Sequence, residues 1–233
     1  MKLSKETLKV LKNFSTINPS IYIRKGSLLA TKSITGNILA EAIIEEEFPV
    51  TFAMYGLNEF LGTLRLFSDP VLDFSKADNN YMYIYEEEDP SYKVRYTFSD
   101  ERKITYPKRR PVIDSNDITF TLDNQTLASI QKASSVMQLE NMVITPKGDE
   151  NVLVEVCNLK NPSSHKFTVE LHSDRKSNVD FKFIVNMDTL KILPANYMVS
   201  TTGNTIISFE SDQAVDYYIG FGVQSYYKEL INE

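Results

Sequence analysis

The stretch MKLSKETLKVLKNFSTI, residues 1–17, is the most informative part of this chain. An α-helix advances about 100° per residue, so Lys9 and Lys12 fall within about 40° of Lys5. One face of the predicted helix therefore presents a row of ammonium groups, and the opposite face is suited to burial. The apolar side chains of that opposite face are Val10, Leu11, Phe14 and Ile17. Taken alone, the lysine row is better explained as an ordinary solvated helix surface, because charged residues are the norm there.

The apolar pattern of this helix recurs about half a chain later. Thr7-Leu8 corresponds to Thr126-Leu127. The same offset aligns Leu11 with Ile130 and Ile17 with Val136, whereas Phe14 meets only Ala133. Internal self-similarity of this kind predicts two tandem copies of one domain. Two unrelated amphipathic helices can share such spacing too, because apolar periodicity is common.

Each predicted helix is followed by strand-like segments and then by a strand that leads into a short helix. In the first half these are a strand at 48–54 and a helix at about 57–67. In the second half they are a strand at 179–185 and a helix at about 187–193, which Pro194 ends. The sequence thus predicts four helical segments in two similar halves.

Composition favours sheet over helix. The chain of 233 residues contains thirteen Tyr and thirteen Phe, and it is long enough for two ordinary domains. Alternating segments such as YMYIY (81–85) and NTIISFE (204–210) are typical of strands. The predicted class is α+β and sheet-dominated.

A polar connector is predicted at about 99–115, where Pro107 and Pro111 bracket a basic run. It divides the chain into an N-terminal domain, 1–108, and a C-terminal domain, 109–233. The acidic runs at 45–47 and 86–89 are interpreted as exposed loop ends rather than a metal cage.

Signatures of catalysis are missing from the sequence. His165 and His172 have no His or Cys partner at metal-ligand spacing, and Cys157 stands alone in an apolar strand. No Gly-rich phosphate loop or nucleophile elbow occurs. We therefore expect no enzyme activity, no metal and no cofactor, although the many carboxylates leave an unusual acid–base pair open. No secretion signal and no long apolar run is present, so no membrane association is expected.

The formal net charge of −6 argues against a general nucleic-acid binder. However, charges are screened over about 8 Å at physiological salt, so a local basic row can still attract phosphates. Contacts between ammonium groups and phosphates carry no base information. An acidic protein with a basic inner lining would hold DNA weakly and without reading its sequence.

The chain resembles the sliding clamp of T4-type bacteriophages, the processivity factor of their DNA polymerase. The resemblance rests on MKLSK (1–5), LKNF (11–14), TIN (16–18), YGLNEFLG (55–62), FIVNM (183–187) and PANY (194–197). The resemblance implies a homotrimeric ring of six similar domains, with helices lining the pore and sheets forming the outer wall. It also implies a non-enzymatic protein that encircles double-stranded DNA and tethers DNA polymerase in the cytoplasm of the infected bacterial host. An ATP-driven clamp loader and late-transcription factors are further expected partners.

Pore residues follow from combining this resemblance with the helix geometry. The predicted DNA-binding residues are Lys5, Lys9, Lys12 and Lys132, with Arg65 and Lys191 on the flanks and Lys2 in the same row if the first strand ends early. Ordinary solvation remains the alternative for the flank residues.

A pocket for a partner peptide is expected from the resemblance, near Ile34, Val112, Ile113, Ile206 and Tyr218. Plain core packing is the alternative for each of these side chains. The alternative function is a phage structural or assembly protein made of duplicated β-rich domains, with lysines that are merely solvated.

Overall fold

A computed structural model describes residues 1–111, 117–161, 163–175, 179–202, 205–211 and 215–229. Its contacts divide the chain into two compact units, Met1–Arg109 and Arg110–Glu233. No helix within the described ranges is both long enough and apolar enough to cross a membrane.

The first unit contains two helices and seven short antiparallel strands among its described residues. In chain order they are α1 (Lys5–Ile17), β1 (Ile21–Ile23), β2 (Gly26–Lys32), β3 (Ile38–Phe48), β4 (Phe52–Met54), α2 (Leu57–Leu64), β5 (Pro70–Asp73), β6 (Tyr81–Glu86) and β7 (Lys93–Thr97). Single 3₁₀ turns lie at Ala77–Asn79 and Glu101–Lys103. Strand β1 pairs with β4, β2 pairs with β3, and β5, β6 and β7 form a separate antiparallel sheet.

The amphipathic pattern of α1 is confirmed. Leu11 and Phe14 are fully buried, and Val10 and Ile17 are nearly so. Helix α1 packs on β2, β3 and α2 through this face. Burying side chains of this size stabilises the unit by about 1.5–3 kcal/mol each, which fixes the rotation of the helix about its axis.

The second unit carries one α-helix among its described residues. Its elements are β8 (Ile118–Leu122), α3 (Asn124–Met137), β9 (Asn141–Lys147), β10 (Asn151–Cys157), β11 (Phe167–Arg175), β12 (Val179–Asn186), β13 (Tyr197–Thr202), β14 (Ile206–Glu210), β15 (Val215–Gly220) and β16 (Tyr226–Glu229). They form one antiparallel sheet in the order β16-β12-β9-β10-β11-β8-β13-β14-β15. Leu127 and Ile130 of α3 are fully buried, and this helix packs on β10 and β11.

The predicted fourth helix is wrong in kind. The structure has a single 3₁₀ turn at Met187–Thr189. Leu190 and Ile192 are both buried, a spacing of two that an α-helix cannot place on one face. The Leu193 N–H donates to the hydroxyl of Tyr217 at 3.1 Å instead of to a helical carbonyl. The side chain of Tyr217, distant in sequence, thus accepts a backbone hydrogen bond from a segment that the local pattern predicted to be helical.

The strand predicted at 48–54 is two strands. β3 ends at Phe48 and β4 begins at Phe52, with Pro49 in the break. Proline has no N–H to donate to a sheet, so pairing stops there. The acidic run at 45–47 belongs to β3 and not to a loop, whereas Glu87 and Glu88 do follow the end of β6.

Two further expectations need correction. Val136, aligned with the buried Ile17, is 73% exposed, because α3 ends one residue later with Gln138 in a left-handed conformation. The connector is not wholly superficial, since Ile104 and Pro107 are buried.

Candidate nucleic-acid interface

The lysine row of α1 is fully displayed. Lys5, Lys9 and Lys12 are all exposed, and Thr16 continues the same line. Within the described part of the chain, none of the three ammonium groups forms an ion pair. Their positive charge is therefore available to an external anion.

Two side chains hold the N-terminus of α1, those of Ser4 and Glu46, and the sequence analysis had assigned Glu46 to a loop end. The Ser4 hydroxyl accepts from the Thr7 N–H at 3.2 Å and caps the helix. The carboxylate of Glu46, on β3, accepts from the Ser4 N–H and from the Thr7 hydroxyl, the latter at 2.5 Å. Burial raises the pKa of Glu46, but the hydrogen bonds from Thr7 and Ser4 outweigh it and leave that pKa below its ordinary value. The apolar run ILAEAII at residues 38–44, which leads directly into the acidic residues, is the signal that could have placed Glu46 in a strand.

Asn18 holds the other end of α1. It is buried, and its amide donates to the carbonyls of Lys32 at 2.7 Å and Thr105 at 2.9 Å. Its side-chain oxygen accepts from the N–H and the hydroxyl of Ser20, both at 2.9 Å. One side chain thus ties the end of the helix to β2 and to the start of the connector.

Lys132 lies on the exposed face of α3, opposite the buried Leu127 and Ile130. Asp123 caps this helix by accepting from the Thr126 N–H at 2.8 Å, and that hydrogen bond lowers the pKa of Asp123. Among the described residues, Lys132 has no ion-pair partner. In each unit, then, a helix presents at least one uncompensated lysine on its solvent face.

The flank candidates differ from one another. Arg65 is exposed at the C-terminal end of α2, and Lys191 is exposed in the segment after the 3₁₀ turn. Lys2 is exposed but pairs with Asp69 at 2.5 Å and also with Glu87. The hydrogen bond to Asp69, followed by that to Glu87, raises the pKa of Lys2. Its charge is locally neutralised, which makes it the weakest member of the predicted set.

The residues predicted to form the partner pocket have unlike environments. Ile34 is 72% exposed in the turn between β2 and β3 of the first unit. In the second unit Ile206 is half-buried, and Tyr218 is buried with its hydroxyl accepting from Arg110 at 2.6 and 2.9 Å. Val112 and Ile113 lie outside the described residues.

The described residues hold no cluster of metal-ligating side chains. His172 lies within β11 opposite Asn151, and His165 precedes that strand. Cys157 is buried beside Val143 and Ile184, and burial raises the pKa of its thiol, so it behaves as a small apolar side chain.

Comparison with known families matches both units. Residues 4–104 match the family described as DNA polymerase processivity factor. Residues 119–222 match the C-terminal domain of the gp45 sliding clamp.

Individual proteins agree with these matches. The chain is 30% identical to the sliding clamp of Escherichia phage RB69, over 97% of this chain and 98% of that protein. It is 29% identical to the sliding clamp of Vibrio phage KVP40, over 86% of this chain and 90% of the relative. Among solved structures, proliferating cellular nuclear antigen from Entamoeba histolytica has a TM-score of 0.69 at 14% identity, covering 95% of this chain and 97% of that one.

Proposed function

This chain belongs to the sliding-clamp family of T4-type bacteriophages, whose members are DNA polymerase processivity factors. We therefore propose that three copies close into a ring around double-stranded DNA. Each copy supplies two clamp domains, assigned to residues 1–108 and 109–233 and joined by the connector at about 99–115. Contacts that run head to tail and close after three steps form a cyclic assembly. The phage structural or assembly protein considered above gains no support from the comparisons.

The exposed lysine row is the observation that carries the proposal. Helices α1 and α3 line the pore, and Lys5, Lys9, Lys12 and Lys132 face the phosphate backbone, with Arg65 and Lys191 at the flanks and Lys2 as a minor contributor. The ammonium groups of Lys5, Lys9, Lys12 and Lys132 form no ion pair with a described residue, so they can attract phosphates, but such contacts do not read bases. Screening by salt keeps this attraction local, and the overall charge of −6 keeps it weak, as a ring that slides along DNA requires.

The ring tethers DNA polymerase and is not itself an enzyme. Tethering converts repeated rebinding of polymerase into an event at high effective concentration, which gives processivity. An ATP-driven clamp loader opens the ring, late-transcription factors are further partners, and the site of action is the cytoplasm of the infected bacterial host. Partner peptides dock near Ile34, Val112, Ile113, Ile206 and Tyr218, where the exposure of Ile34 supports a contact role.

Retention on DNA tests the ring. Protein loaded onto nicked circular DNA should stay bound through gel filtration and should be lost once the circle is linearised. A ring that encircles DNA can slide off free ends, whereas a protein bound only by direct contacts would remain on linear DNA. A K5A/K9A/K12A variant should be retained less well, whereas a K25A/K103A variant, which loses exposed charge elsewhere in the first unit, should behave as wild type. Equal retention on circular and linear DNA would refute encirclement.

Binding of the C-terminal peptide of the polymerase tests the pocket. An Ile34→Asp variant should bind that peptide at least tenfold more weakly, because a carboxylate replaces an apolar contact. Ile43→Asp is the matched control, since Ile43 is also exposed, at 70%, on β3 of the same unit. Equal affinities for Ile34→Asp and wild type would remove Ile34 from the pocket.

A further inference from the structure

The sheet of β5, β6 and β7 presents an aromatic face to solvent. Met82 and Ile84 of β6 are fully buried on the core side of this sheet. Successive side chains of a strand point to opposite faces, so Tyr81, Tyr83 and Tyr85 share the other side and are half-buried there. On β7, Tyr96 meets Phe60 of α2 on the core side, with ring centroids 5.4 Å apart. The three tyrosines therefore face away from α2.

Two cations lie on these rings. Lys93 is opposite Tyr85 in the ladder, but its ammonium lies over the ring of Tyr83, 4.6 Å from the centroid. Arg95 is opposite Tyr83, and its guanidinium lies over the ring of Tyr81 at 4.2 Å. The rings of Tyr81 and Tyr83 meet edge to face at 5.2 Å. Cations and aromatic rings thus alternate along a diagonal of the sheet.

These cations are not compensated by nearby carboxylates. Neither Lys93 nor Arg95 forms an ion pair with any described residue. Lys76 also lies close enough to act electrostatically on the phenol of Tyr81. The one carboxylate opposite Tyr83 on this face, Asp73, accepts from the N–H and the hydroxyl of Ser75. Asp73 keeps its negative charge, but the three cations Lys76, Lys93 and Arg95 outnumber it on this face.

We propose that this face, defined by Tyr81, Tyr83, Tyr85, Lys93 and Arg95, binds single-stranded nucleic acid. Tyrosines two residues apart on a strand are separated by about 6.6–6.8 Å. Unpaired bases stack on such rings without sequence preference, and adjacent Lys and Arg hold the phosphates. A guanidinium plane on a tyrosine is itself a surface on which a base stacks.

Single-stranded nucleic acid fits this surface better than an acidic peptide does. An acidic peptide would use the two cations but would leave the repeated rings without flat partners. A duplex keeps its bases stacked inside and would use only the charges. The site is separate from the lysine row of α1 and does not depend on ring closure.

Fluorescence anisotropy with labelled dT20 and the full chain tests the inference. Wild type should bind dT20 more tightly than a blunt duplex of equal length. A K93Q/R95Q variant and a Y81S/Y83S variant should each lose about tenfold or more in affinity, because each removes either the phosphate contacts or the stacking surfaces. A Y81F/Y83F variant should retain binding, since stacking needs the ring and not the hydroxyl.

Controls separate this site from the proposed ring. A K5A/K9A/K12A variant should lose less affinity for dT20 than K93Q/R95Q does, whereas K25Q/K103Q, which removes two exposed charges of the same unit without touching the face, should bind dT20 as wild type does. K93Q/R95Q changes only exposed side chains, and circular dichroism checks that every variant is folded. The inference fails if K93Q/R95Q binds dT20 as wild type does. It also fails if a decaglutamate peptide displaces dT20 and Y81S/Y83S has no effect, a result that would assign the face to an acidic peptide. Neither result depends on retention on circular DNA.

Discussion

Glu46 shows how a single carboxylate can orient the lysine row. Its hydrogen bonds from Ser4 and Thr7 fix the first turn of α1, directly before Lys5. We expect Glu46→Gln to lower the free energy of unfolding by about 1–2 kcal/mol, because a charge-assisted acceptor becomes a neutral amide. Thermal or urea unfolding measures the loss. Glu45→Gln is the matched control, since this exposed neighbour changes charge equally but its side chain forms no hydrogen bond within the described part of the chain.

The same carboxylate predicts a pH dependence. The pKa of Glu46 is lower in the folded protein than its unfolded value of 4.5. A depressed folded pKa means that its stabilisation is fully present above the unfolded pKa and is lost as pH falls through the folded pKa. The stability difference between wild type and Glu46→Gln should therefore shrink as pH is lowered from about 6 towards about 3. A difference that grows on acidification would contradict this role.

Asn18 is the second residue whose side chain is expected to make a large contribution to the stability of the first unit. Asn18→Ala leaves the carbonyls of Lys32 and Thr105 and the polar groups of Ser20 without their partner. We expect a loss of about 3 kcal/mol in the free energy of unfolding, since each buried group left unsatisfied costs about 1–3 kcal/mol. Asn58→Ala, on the exposed face of α2, should cost far less. Equal losses would show that the Asn18 network is not stabilising.

Among the elements, α1 should control the salt dependence of DNA binding. Removing one ammonium–phosphate interaction reduces the slope of log affinity against log salt by about 0.9 on duplex DNA. K5A/K9A/K12A should therefore show a shallower slope than wild type, with an unchanged melting temperature, because all three side chains are exposed. An unchanged slope would exclude these lysines from the interface.

Aromatic stacking and a hydrogen bond attach the start of the connector to β1 and to Arg24, which follows it. The rings of Tyr22 and Tyr106 stack at 4.3 Å, Arg24 lies over both, and its guanidinium donates to the carbonyl of Pro107 at 3.0 Å. Tyr106→Ala should release this segment and speed tryptic cleavage after residues 103, 108 and 109, which limited proteolysis with mass spectrometry would detect. Tyr92→Ala, at a tyrosine that is 73% exposed, is the control. Cleavage at the wild-type rate would mean that the stack does not hold the connector.

For the whole molecule, the proposed ring makes a simple prediction about size. Sedimentation at micromolar concentration should give three times the chain mass of 26.7 kDa, with dissociation on dilution. K93Q/R95Q should leave that mass unchanged, because the aromatic face is proposed to bind nucleic acid independently of assembly. A stable monomer at these concentrations would refute the proposed trimer.

The local hydrophobic pattern was sufficient to predict an element and its exposed side where one face of that element is buried and the other is solvated. The period of α1 placed Lys5, Lys9 and Lys12 on the exposed side, and alternation at 81–85 placed β6 correctly. It failed where a distant group competes for the backbone, as when Tyr217 takes the N–H of Leu193 in the segment predicted to be the fourth helix. Periodicity contains no information about such a partner.

The sequence by itself determined the sheet-dominated α+β class and the solvent face of the lysine row, because both follow from the spacing of apolar residues along the chain. Only the tertiary structure decided which charges remain uncompensated. Lys2 meets Asp69 and Glu87, which are far from it in sequence, whereas Lys5 meets no described carboxylate. Electrostatic attraction depends on distance in space, and that distance is fixed by the packing of β5 and β6 beside the N-terminal segment.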